Sequence, residues 1–260
     1  MRNRTIDIDD RTEDLAERMR DEPAIALDFQ RKYELSWMYH ENALEGVIYT
    51  SQELEFGLEN QPLVDVAVVG ASQEIRNHKG AIDLVRAEAR GKKGRVTLRL
   101  VKRLYEALGV GLPGKSVAEY RKEIPLHRAY FHEIAPPAKI SFQLGKLLDF
   151  CESAEFRQNH PLLQASRLHH GFMQIYPFTE NSGKVARLLA NLMLLRKGYL
   201  PCIIHSIDRQ RYYESLRLPE PILRDLMMEA MENGLANAEK FFDQALAARA
   251  RRSARRDDAA

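Results

Sequence analysis

Residues 160–201 read HPLLQASRLHHGFMQIYPFTENSGKVARLLANLMLLRKGYLP, and this stretch decides the fold. Its pattern predicts a helix from near Asn159 to about Gln174, a turn-rich loop over 176–183, and a second helix from Lys184 to Gly198. We therefore expect a loop that leads into the N-terminus of a buried helix. The second helix has apolar residues at helical spacing, which is typical of burial: Val185, Leu188, Leu189, Leu192 and Leu195.

The N-terminus of the second helix has the residues of an anion site. Free backbone N–H groups and the helix dipole attract anions there, and Gly183 lets a ligand approach while Asn181 tolerates a positive φ. Lys184 and Arg187 add positive charge, and Glu180 adds a carboxylate. A nucleotide di- or triphosphate site needs such cations together with one acid for Mg²⁺. On spacing alone, an ordinary capped helix explains the loop equally well.

The rest of the sequence predicts an all-α fold with one small β element. The capping box Thr50-Ser51-Gln52-Glu53 starts a helix, and Gly46 ends the helix before it as a C′ glycine. Residues 109–137 are rich in Gly and Pro, which predicts irregular structure with a small β-hairpin. Helical periodicity recurs in three further segments: 24–45, 70–89 and 96–108.

Composition excludes several classes of protein. The 260 residues are 45% hydrophobic and carry a net charge of +2, so no global charge points to nucleic acid or a membrane. No apolar run approaches the roughly 18 residues of a membrane span, and the first residues do not resemble a signal peptide. Cys151 and Cys202 lie in apolar surroundings, so we expect two core cysteines, a reducing compartment and a cytoplasmic location.

Charge patterning suggests four regions. Residues 1–24 are a charged segment, for which we expect a short helix with a loose end, and residues 25–95 are an N-terminal helical region. A core follows over 96–245, and the last region, 246–260, is a basic tail. We expect this tail to be solvated and frayed, and the alternative is a weak contact with a polyanion.

The loop and the second helix resemble the signature of the Fic (Fido) family, His-Pro-Phe-x-Asp/Glu-Gly-Asn-Gly-Arg/Lys-x-x-Arg. Tyr176 stands at the family histidine, and Pro177 and Phe178 match. Asn181 and Ser182 replace the family Gly and Asn. The resemblance implies a Fic-type helical bundle with a β-hairpin flap. Four further positions match the signature: Glu180, Gly183, Lys184 and Arg187.

Two other segments resemble parts of the same family, and the resemblance extends over roughly residues 25–245. Residues 42–46 resemble the inhibitory helix pattern Ser/Thr-x-x-x-Glu-Gly/Asn, in which Glu45 is the inhibitory glutamate. Glu41 departs from the pattern because it stands at the Ser/Thr position. Residues 120–137 resemble the flap, which holds a target chain by strand pairing. The flap positions are Tyr120, Arg121, Ile134 and Pro136.

Family members mostly transfer AMP from ATP to a protein hydroxyl, and the resemblance assigns roles to this chain. Glu180 is expected to bind Mg²⁺, Arg187 to bind the γ-phosphate of ATP, and Glu45 to pair with Arg187 and block productive placement of ATP. The resemblance also leaves room for a homodimer, since similar members often dimerise. The α- and β-phosphates are expected to bind at Asn181, Ser182, Gly183 and Lys184.

Tyr176 alters the implied mechanism because the family histidine is the general base. A histidine titrates near ~6.5, whereas a tyrosine titrates near ~10 and is a phenolate in only about one molecule in a thousand at neutral pH. Tyr176 is then an acid toward a leaving oxygen, a nucleophile or self-modification site, or a space-filling residue. His169 and His170 are weak candidates for a substitute base, since His169 matches a structural family position.

Three functions fit these residues. The first is hydrolytic removal of AMP from an adenylated target, either a protein or a nucleic-acid end, with Glu45 orienting the water. The second is an ATP- and Mg²⁺-dependent AMP transferase, which modifies a target or itself at Tyr176. The third is an inactive module that senses a nucleotide or binds a partner. We take the first as the leading hypothesis because a missing histidine harms hydrolysis less than transfer.

Overall fold

The computed structural model describes residues 2–58, 66–91, 94–112, 117–125 and 132–257. In these ranges the chain is a bundle of α-helices with two short 3₁₀ turns, at Pro137–Lys139 and Ser206–Asp208. The helices are α1 (Arg2–Asp21), α2 (Pro23–Leu44), α3 (Ser51–Leu58), α4 (Val66–Arg90), α5 (Leu98–Gly109), α6 (Ile140–Glu152), α7 (Ala154–Arg157), α8 (Pro161–Ile175), α9 (Ser182–Leu195), α10 (Arg209–Ser215) and α11 (Glu220–Asp257).

Helix α9 is the centre of the bundle. Helix α8 packs along it, α4 and α5 cover its other side, and α6 and α11 pack on α8. Its apolar stripe is buried as predicted, with Val185, Leu188 and Leu189 completely removed from solvent. Burial of side chains of this size contributes about 1.5–3 kcal/mol each relative to exposure, so the core fixes α9 firmly. The predicted core cysteines, Cys151 and Cys202, are both buried and unpaired.

Local sequence signals set several helix ends. The capping box is confirmed, since the amide of Glu53 donates to Thr50 Oγ1 at 3.1 Å and the amide of Thr50 donates to Glu53 Oε2 at 2.7 Å. Gly46 has a φ of +90°, and its amide donates to Ala43 O, which ends α2 as predicted. This turn matters to the site because Glu45 directly precedes it.

Both ends of the chain are more ordered than expected. The 1–24 segment contains a helix of 20 residues whose Ile8 and Leu15 are buried, so the expectation of a short helix with a loose end is wrong. Helix α11 continues into the basic tail as far as Asp257, and Arg249 pairs with Glu22 at 2.6 Å. Helix α1 packs along α11, and this contact explains both differences because each helix gives the other a partner.

The predicted β-hairpin is not found in the described residues. Residues 126–131, at its centre, lie outside them, and the flanking segments 117–125 and 132–136 are extended or bent without strand assignment. The flanks are nevertheless fixed to the end of α8 and the loop after it, since the amide of Ala135 donates to Gln174 O and that of Arg121 donates to Pro177 O, both at 2.9 Å. Among the described helices, not one has the length and apolar character needed to cross a membrane.

Candidate anion site at the start of helix α9

The loop between α8 and α9 is shaped by two residues in the left-handed region. Tyr176 has a φ of 49° and Asn181 a φ of 58°, and they lie at the two ends of the loop. Asn tolerates this conformation, as the sequence suggested, but tyrosine rarely adopts it. The strain at Tyr176 is maintained because its amide still donates to Phe172 O at 2.8 Å and because the loop is anchored on both sides.

Phe178 and Ser182 anchor the loop from inside. Phe178 is fully buried and stacks on Tyr105 of α5, with the ring centroids 4.2 Å apart. Ser182 Oγ accepts from the amide of Phe178 at 2.9 Å and donates to its carbonyl at 2.8 Å. The hydroxyl of Ser182 was predicted to contact phosphate, and the structure uses it to close the loop instead. Only the backbone amide of Ser182 remains at the helix N-terminus.

The first turn of α9 has backbone amides without a partner in the helix, and the residues that carry them are buried next to Glu45. Its first intrahelical bond runs from the amide of Val185 to Asn181 O, and the Asn181 side chain does not cap the helix. The amides at 182–184 precede that bond, so they have no acceptor within α9. A Cβ atom placed on Gly183 would lie 2.5 Å from Glu45 Oε1, so the Glu45 carboxylate lies directly against the positive end of α9. Glycine is required here because any side chain would displace that carboxylate.

Arg187, one turn further along α9, is held by three side chains. Nη2 donates to Glu45 Oε1 at 2.6 Å, Nε donates to Glu41 Oε2 at 2.7 Å, and Nη1 donates to Tyr212 Oη at 3.0 Å. The side chains of Arg187 and Glu41 are each 4% exposed, whereas that of Glu45 is 27% exposed. The predicted pair of Glu45 and Arg187 is therefore formed, with a second carboxylate deeper in the protein.

Burial and ion pairing oppose each other in this cluster. Burial lowers the pKa of Arg187, but Glu41, Tyr212 and Glu45 outweigh it and raise that pKa well above its usual range. Burial raises the pKa of Glu41, and the neighbouring guanidinium counteracts that shift. Arg187 is thus a permanent cation whose charge is balanced by the two carboxylates of α2.

Lys184 points away from the open end of α9. It is buried, and its Nζ donates to Asn42 Oδ1 at 2.8 Å. Asn42 in turn donates to Met38 O and contacts Nδ1 of the buried His78 at 3.2 Å. Burial lowers the pKa of Lys184, against the nearby glutamates. The ammonium group was predicted to bind phosphate, but it ties α9 to α2 and leaves that task to its amide.

The C-terminal end of α2 is fixed against α9 by α10. Leu44 O accepts from Arg209 Nε at 2.8 Å and from Tyr213 Oη at 3.1 Å. These bonds use a carbonyl that a helix end leaves without an intrahelical donor. They therefore place Glu45, the next residue, over Gly183.

The flap residues fall into two groups. Arg121 is buried, and its guanidinium donates to the carbonyls of Tyr176 at 2.7 Å, Ile175 at 3.2 Å and Ala135. It was predicted to contact a target, and the structure shows it supporting the loop instead. The other three predicted positions are accessible: Tyr120 and Ile134 are half-buried and Pro136 is exposed.

Tyr176 and Glu180 differ in their surroundings, since Tyr176 packs partly against the core and Glu180 does not. Tyr176 is half-buried and faces the ring of His132 edge-on, with the centroids 6.3 Å apart, and Glu180 is exposed. His169 is fully buried and bonds to Tyr212 Oη at 2.9 Å, and His170 contacts Leu218 O at 3.0 Å. Each of these histidines is thus engaged elsewhere in the bundle, in line with the structural role expected for His169.

In the sequence Glu41 is visible only as a departure from the inhibitory helix pattern, and its contact with Arg187 is a residue role that sequence reasoning missed. The available signal was its spacing, because residues four apart lie on the same face of a helix. Asn42 lies in the 42–46 segment that resembles the inhibitory helix, but that resemblance gave no role to Asn42 or to Tyr212, which hold Lys184 and Arg187.

Comparisons with known proteins match this architecture. The model of the Fic/DOC family matches residues 95–194. A protein adenylyltransferase Fic from Aedes aegypti is 25% identical over 183 residues, which are 70% of this chain and 36% of that protein. One from Nematostella vectensis is 28% identical over 182 residues, which are 69% and 42% of the two chains. The chain thus spans about two fifths of these relatives or less.

Solved structures agree on the fold. A Fic domain containing signaling protein from Bacteroides thetaiotaomicron superposes with a TM-score of 0.75 at 20% identity, covering 90% of this chain and 97% of that one. Fic-1 from C. elegans gives a TM-score of 0.75 at 17% identity, covering 95% and 73%. Residues 95–194 therefore form a domain of the Fic/DOC family, within an all-α Fic bundle.

Proposed function

We propose that this chain removes AMP from an adenylated target by hydrolysis, at the open N-terminus of α9. The observation that carries the proposal is the position of Glu45, whose Oε1 lies 2.5 Å from where a Cβ on Gly183 would be. The Glu45 carboxylate occupies the position where the N-terminus of α9 attracts an anion. It would therefore be adjacent to a phosphate that binds at the same helix end. The uncapped amides at 182–184 and the guanidinium of Arg187 supply the donors for that phosphate.

The proposed step is an in-line attack of water on the phosphorus atom. Glu45 accepts a proton from the water as its oxygen bonds to phosphorus, and the bond between phosphorus and the target oxygen breaks. The leaving oxygen takes up a proton from the phenol of Tyr176, and the proton held by Glu45 then passes through water to restore the phenol. Glu45 suits the role because 27% of its side chain is exposed, so water reaches it.

Mg²⁺ fits this site only with help from the substrate. Glu180 supplies one exposed carboxylate beside the loop, and the part of the chain that the structure describes holds no group of three potential ligands. Mg²⁺ commonly binds through one or two carboxylates together with substrate phosphates and waters. When bound, it would neutralise charge on the phosphate, and Glu180 would be its protein ligand.

The target is proposed to be a protein hydroxyl or a nucleic-acid end that carries AMP. Tyr120, Ile134 and Pro136 are accessible next to the loop and would contact the chain that bears the AMP group. A protein target is supported by a related solved structure, IbpAFic2 in complex with adenylylated Cdc42, at a TM-score of 0.51. The cytoplasmic location and the homodimer stay predictions.

Release of AMP tests the proposal. The substrates are an AMP-threonine peptide and a 5′-adenylated DNA end, each incubated with the protein and Mg²⁺, with AMP measured by chromatography. The wild type is expected to release AMP, and Glu45→Gln to lose that activity while keeping the shape of the side chain. Glu55→Gln, an exposed change on α3, is the matched control and keeps full activity. Equal release by Glu45→Gln and wild type would contradict the proposal.

A second candidate is transfer of AMP from ATP, which the names of the relatives favour. In that case Glu45 would occupy the anion site and inhibit the transfer by blocking productive binding of ATP. Incubation of Glu45→Gly with α-labelled ATP and Mg²⁺ would label a protein, and loss of self-labelling in Glu45→Gly/Tyr176→Phe would identify the modified group. Nucleotide binding without release or labelling would instead indicate a sensing module.

A further inference from the structure

Glu41 forms an ion pair with Arg187 through a nitrogen that Glu45 does not contact. It lies one turn before Glu45 on α2, and its Oε2 accepts from Arg187 Nε at 2.7 Å. Its other oxygen accepts from Trp37 Nε1 at 3.3 Å, and the carboxylate is almost completely buried. This pair is therefore shielded from solvent, whereas the pair of Glu45 and Arg187 opens at the surface.

The two glutamates occupy different parts of the guanidinium. Glu45 bonds to Nη2 through Oε1, the same oxygen that lies against Gly183, and a Cβ on Gly183 would also lie 3.0 Å from Arg187 Nη1. Glu41 bonds to Nε and is almost completely buried. An incoming anion can take the place of the Glu45 carboxylate, but it does not reach the place of Glu41.

Removing Glu45 consequently does not release the full charge of Arg187. A carboxylate at 2.7 Å in a buried site cancels most of the field of the guanidinium, because little water screens the pair. The guanidinium keeps its N–H groups on the open side and loses most of its long-range attraction. The guanidinium binds one phosphate by hydrogen bonds, but its electrostatic attraction for additional phosphate groups is weak.

We propose that Glu41 is a specificity-determining residue that makes the site select a single phosphate, as in AMP or an adenylyl ester, over a polyphosphate tail. The inference rests on the proposed function, in that a nucleotide phosphate binds at the start of α9. Within the cluster around Arg187, the two cations of α9, Arg187 and Lys184, are balanced by two carboxylates, Glu41 and Glu45. Every phosphate beyond the first adds negative charge to a cluster that is already neutral.

The experiment measures the dissociation constants of AMP, ADP and ATP for the full chain by calorimetry, without Mg²⁺. In Glu45→Gln, all three nucleotides are expected to bind more tightly by a similar factor, so the preference for ATP over AMP stays within about twofold of wild type. In Glu41→Gln/Glu45→Gln, the preference for ATP over AMP is expected to rise about tenfold, because a buried negative charge is removed near the polyphosphate group of ATP. The carboxamide of glutamine keeps the size of Glu41 and an acceptor for Arg187 Nε.

Glu34→Gln is the matched control. It removes a carboxylate from the same helix, where Glu34 is 13% exposed and pairs with Lys79 and Arg86. Its preference for ATP over AMP is expected to equal that of the wild type. A merely structural Glu41 would shift the affinities for AMP and ATP together, so only the ratio reports on specificity.

The outcomes separate the two proposals. A tenfold rise in ATP preference in Glu45→Gln alone overturns the role of Glu41, whether or not the Glu41 variants fold, and leaves the hydrolase proposal intact. The expected ratios without any AMP release support Glu41 and overturn hydrolysis. Absence of nucleotide binding in every variant that folds overturns both.

Discussion

The chain uses arginine–glutamate pairs in two regions, and the surroundings give them different meanings. Between α1 and α11, Arg4 pairs with Glu232 at 2.7 Å, with side chains 37% and 27% exposed. Between α2 and α9, Arg187 pairs with Glu41 at the same distance, with both side chains 4% exposed. The first pair fixes the orientation of two terminal helices, and the second holds a charge that the core would otherwise not tolerate.

Solvent explains this difference. Exposed pairs are screened and contribute about 0–1 kcal/mol. A buried pair has lost its hydration, so each partner depends on the other, and breaking the pair by removing one side costs about 3–5 kcal/mol. The same N···O distance of 2.7 Å therefore indicates a small contribution at the helix ends, even though Arg4 and Glu232 share two hydrogen bonds, and a large dependence at the candidate site.

The largest effect is expected for Glu41→Ala. This change leaves the Nε group of Arg187 buried without its carboxylate, and we expect the free energy of unfolding to fall by about 3–5 kcal/mol. Urea unfolding followed by circular dichroism measures it. The control is Glu232→Ala, which breaks an exposed pair and should cost about 1 kcal/mol or less. If Glu41→Ala and Glu232→Ala lost the same free energy of unfolding, the buried pair would contribute no more to stability than the exposed one.

The next effect is a loss of stability in mild acid. Burial lowers the pKa of His78 and of His169 well below the usual value, with Arg187 adding to the shift in both. Since the folded pKa is depressed, the unfolded state binds more protons as the pH falls through ~6.5. Stability is complete above that pH, and it should fall by about 2 kcal/mol between pH 6.5 and 5.5.

Urea unfolding at pH 7.5, 6.5 and 5.5 measures this dependence. His40 adds a further loss over the same range, since burial and His205 lower its pKa to about 4, and its contribution is lost as the pH falls from ~6.5 to about 4. The variant His170→Gln serves as a control, because His170 lies outside the buried cluster and bonds to Leu218 O. Its pH dependence should follow the wild type. A free energy of unfolding that stays constant from pH 7.5 to 5.5 would show that the buried histidines can be protonated in the folded protein.

A smaller effect separates two glycines of the bundle. Gly145→Ala on α6 meets no atom within 4 Å and should raise stability by about 0.5–1 kcal/mol through helix propensity. Gly183→Ala should lack this gain and lose the rise in melting temperature caused by AMP, because its methyl group would lie 2.5 Å from Glu45 Oε1. If AMP raised the melting temperature of Gly183→Ala as much as that of the wild type, the phosphate would not bind next to Gly183.

The smallest effect is expected where α1 meets α11. Glu239→Gln weakens the contact with Arg11, which is 2.8 Å long and 24% and 34% exposed on its two sides. We expect the free energy of unfolding to fall by less than about 1 kcal/mol. This loss should become smaller as the salt concentration is raised from about 0.05 M to about 0.5 M, because ions screen exposed pairs first. A loss that is independent of salt would mean that this pair behaves like the buried one.

The amino-acid sequence by itself determined the local elements of this protein. The apolar stripe of α9, the capping box at Thr50 and the glycine turn at Gly46 appear as predicted, because each depends on residues within one or two helical turns. The positive φ of Asn181 belongs to the same class. The signature around the loop also identified the family before any contact was known.

Only the tertiary structure decided which side chains meet. Arg187 contacts Glu41 across 146 positions of the chain, and Lys184 reaches Asn42 across 142, whereas the pair of Arg187 and Glu45 was expected from the family resemblance alone. Such partners depend on how α2 packs on α9, which no local pattern encodes. For the same reason the order of the two ends, seen in the contact of α1 with α11, was not predictable from their charge. Periodicity identifies the face of a helix, and packing alone selects what that face touches.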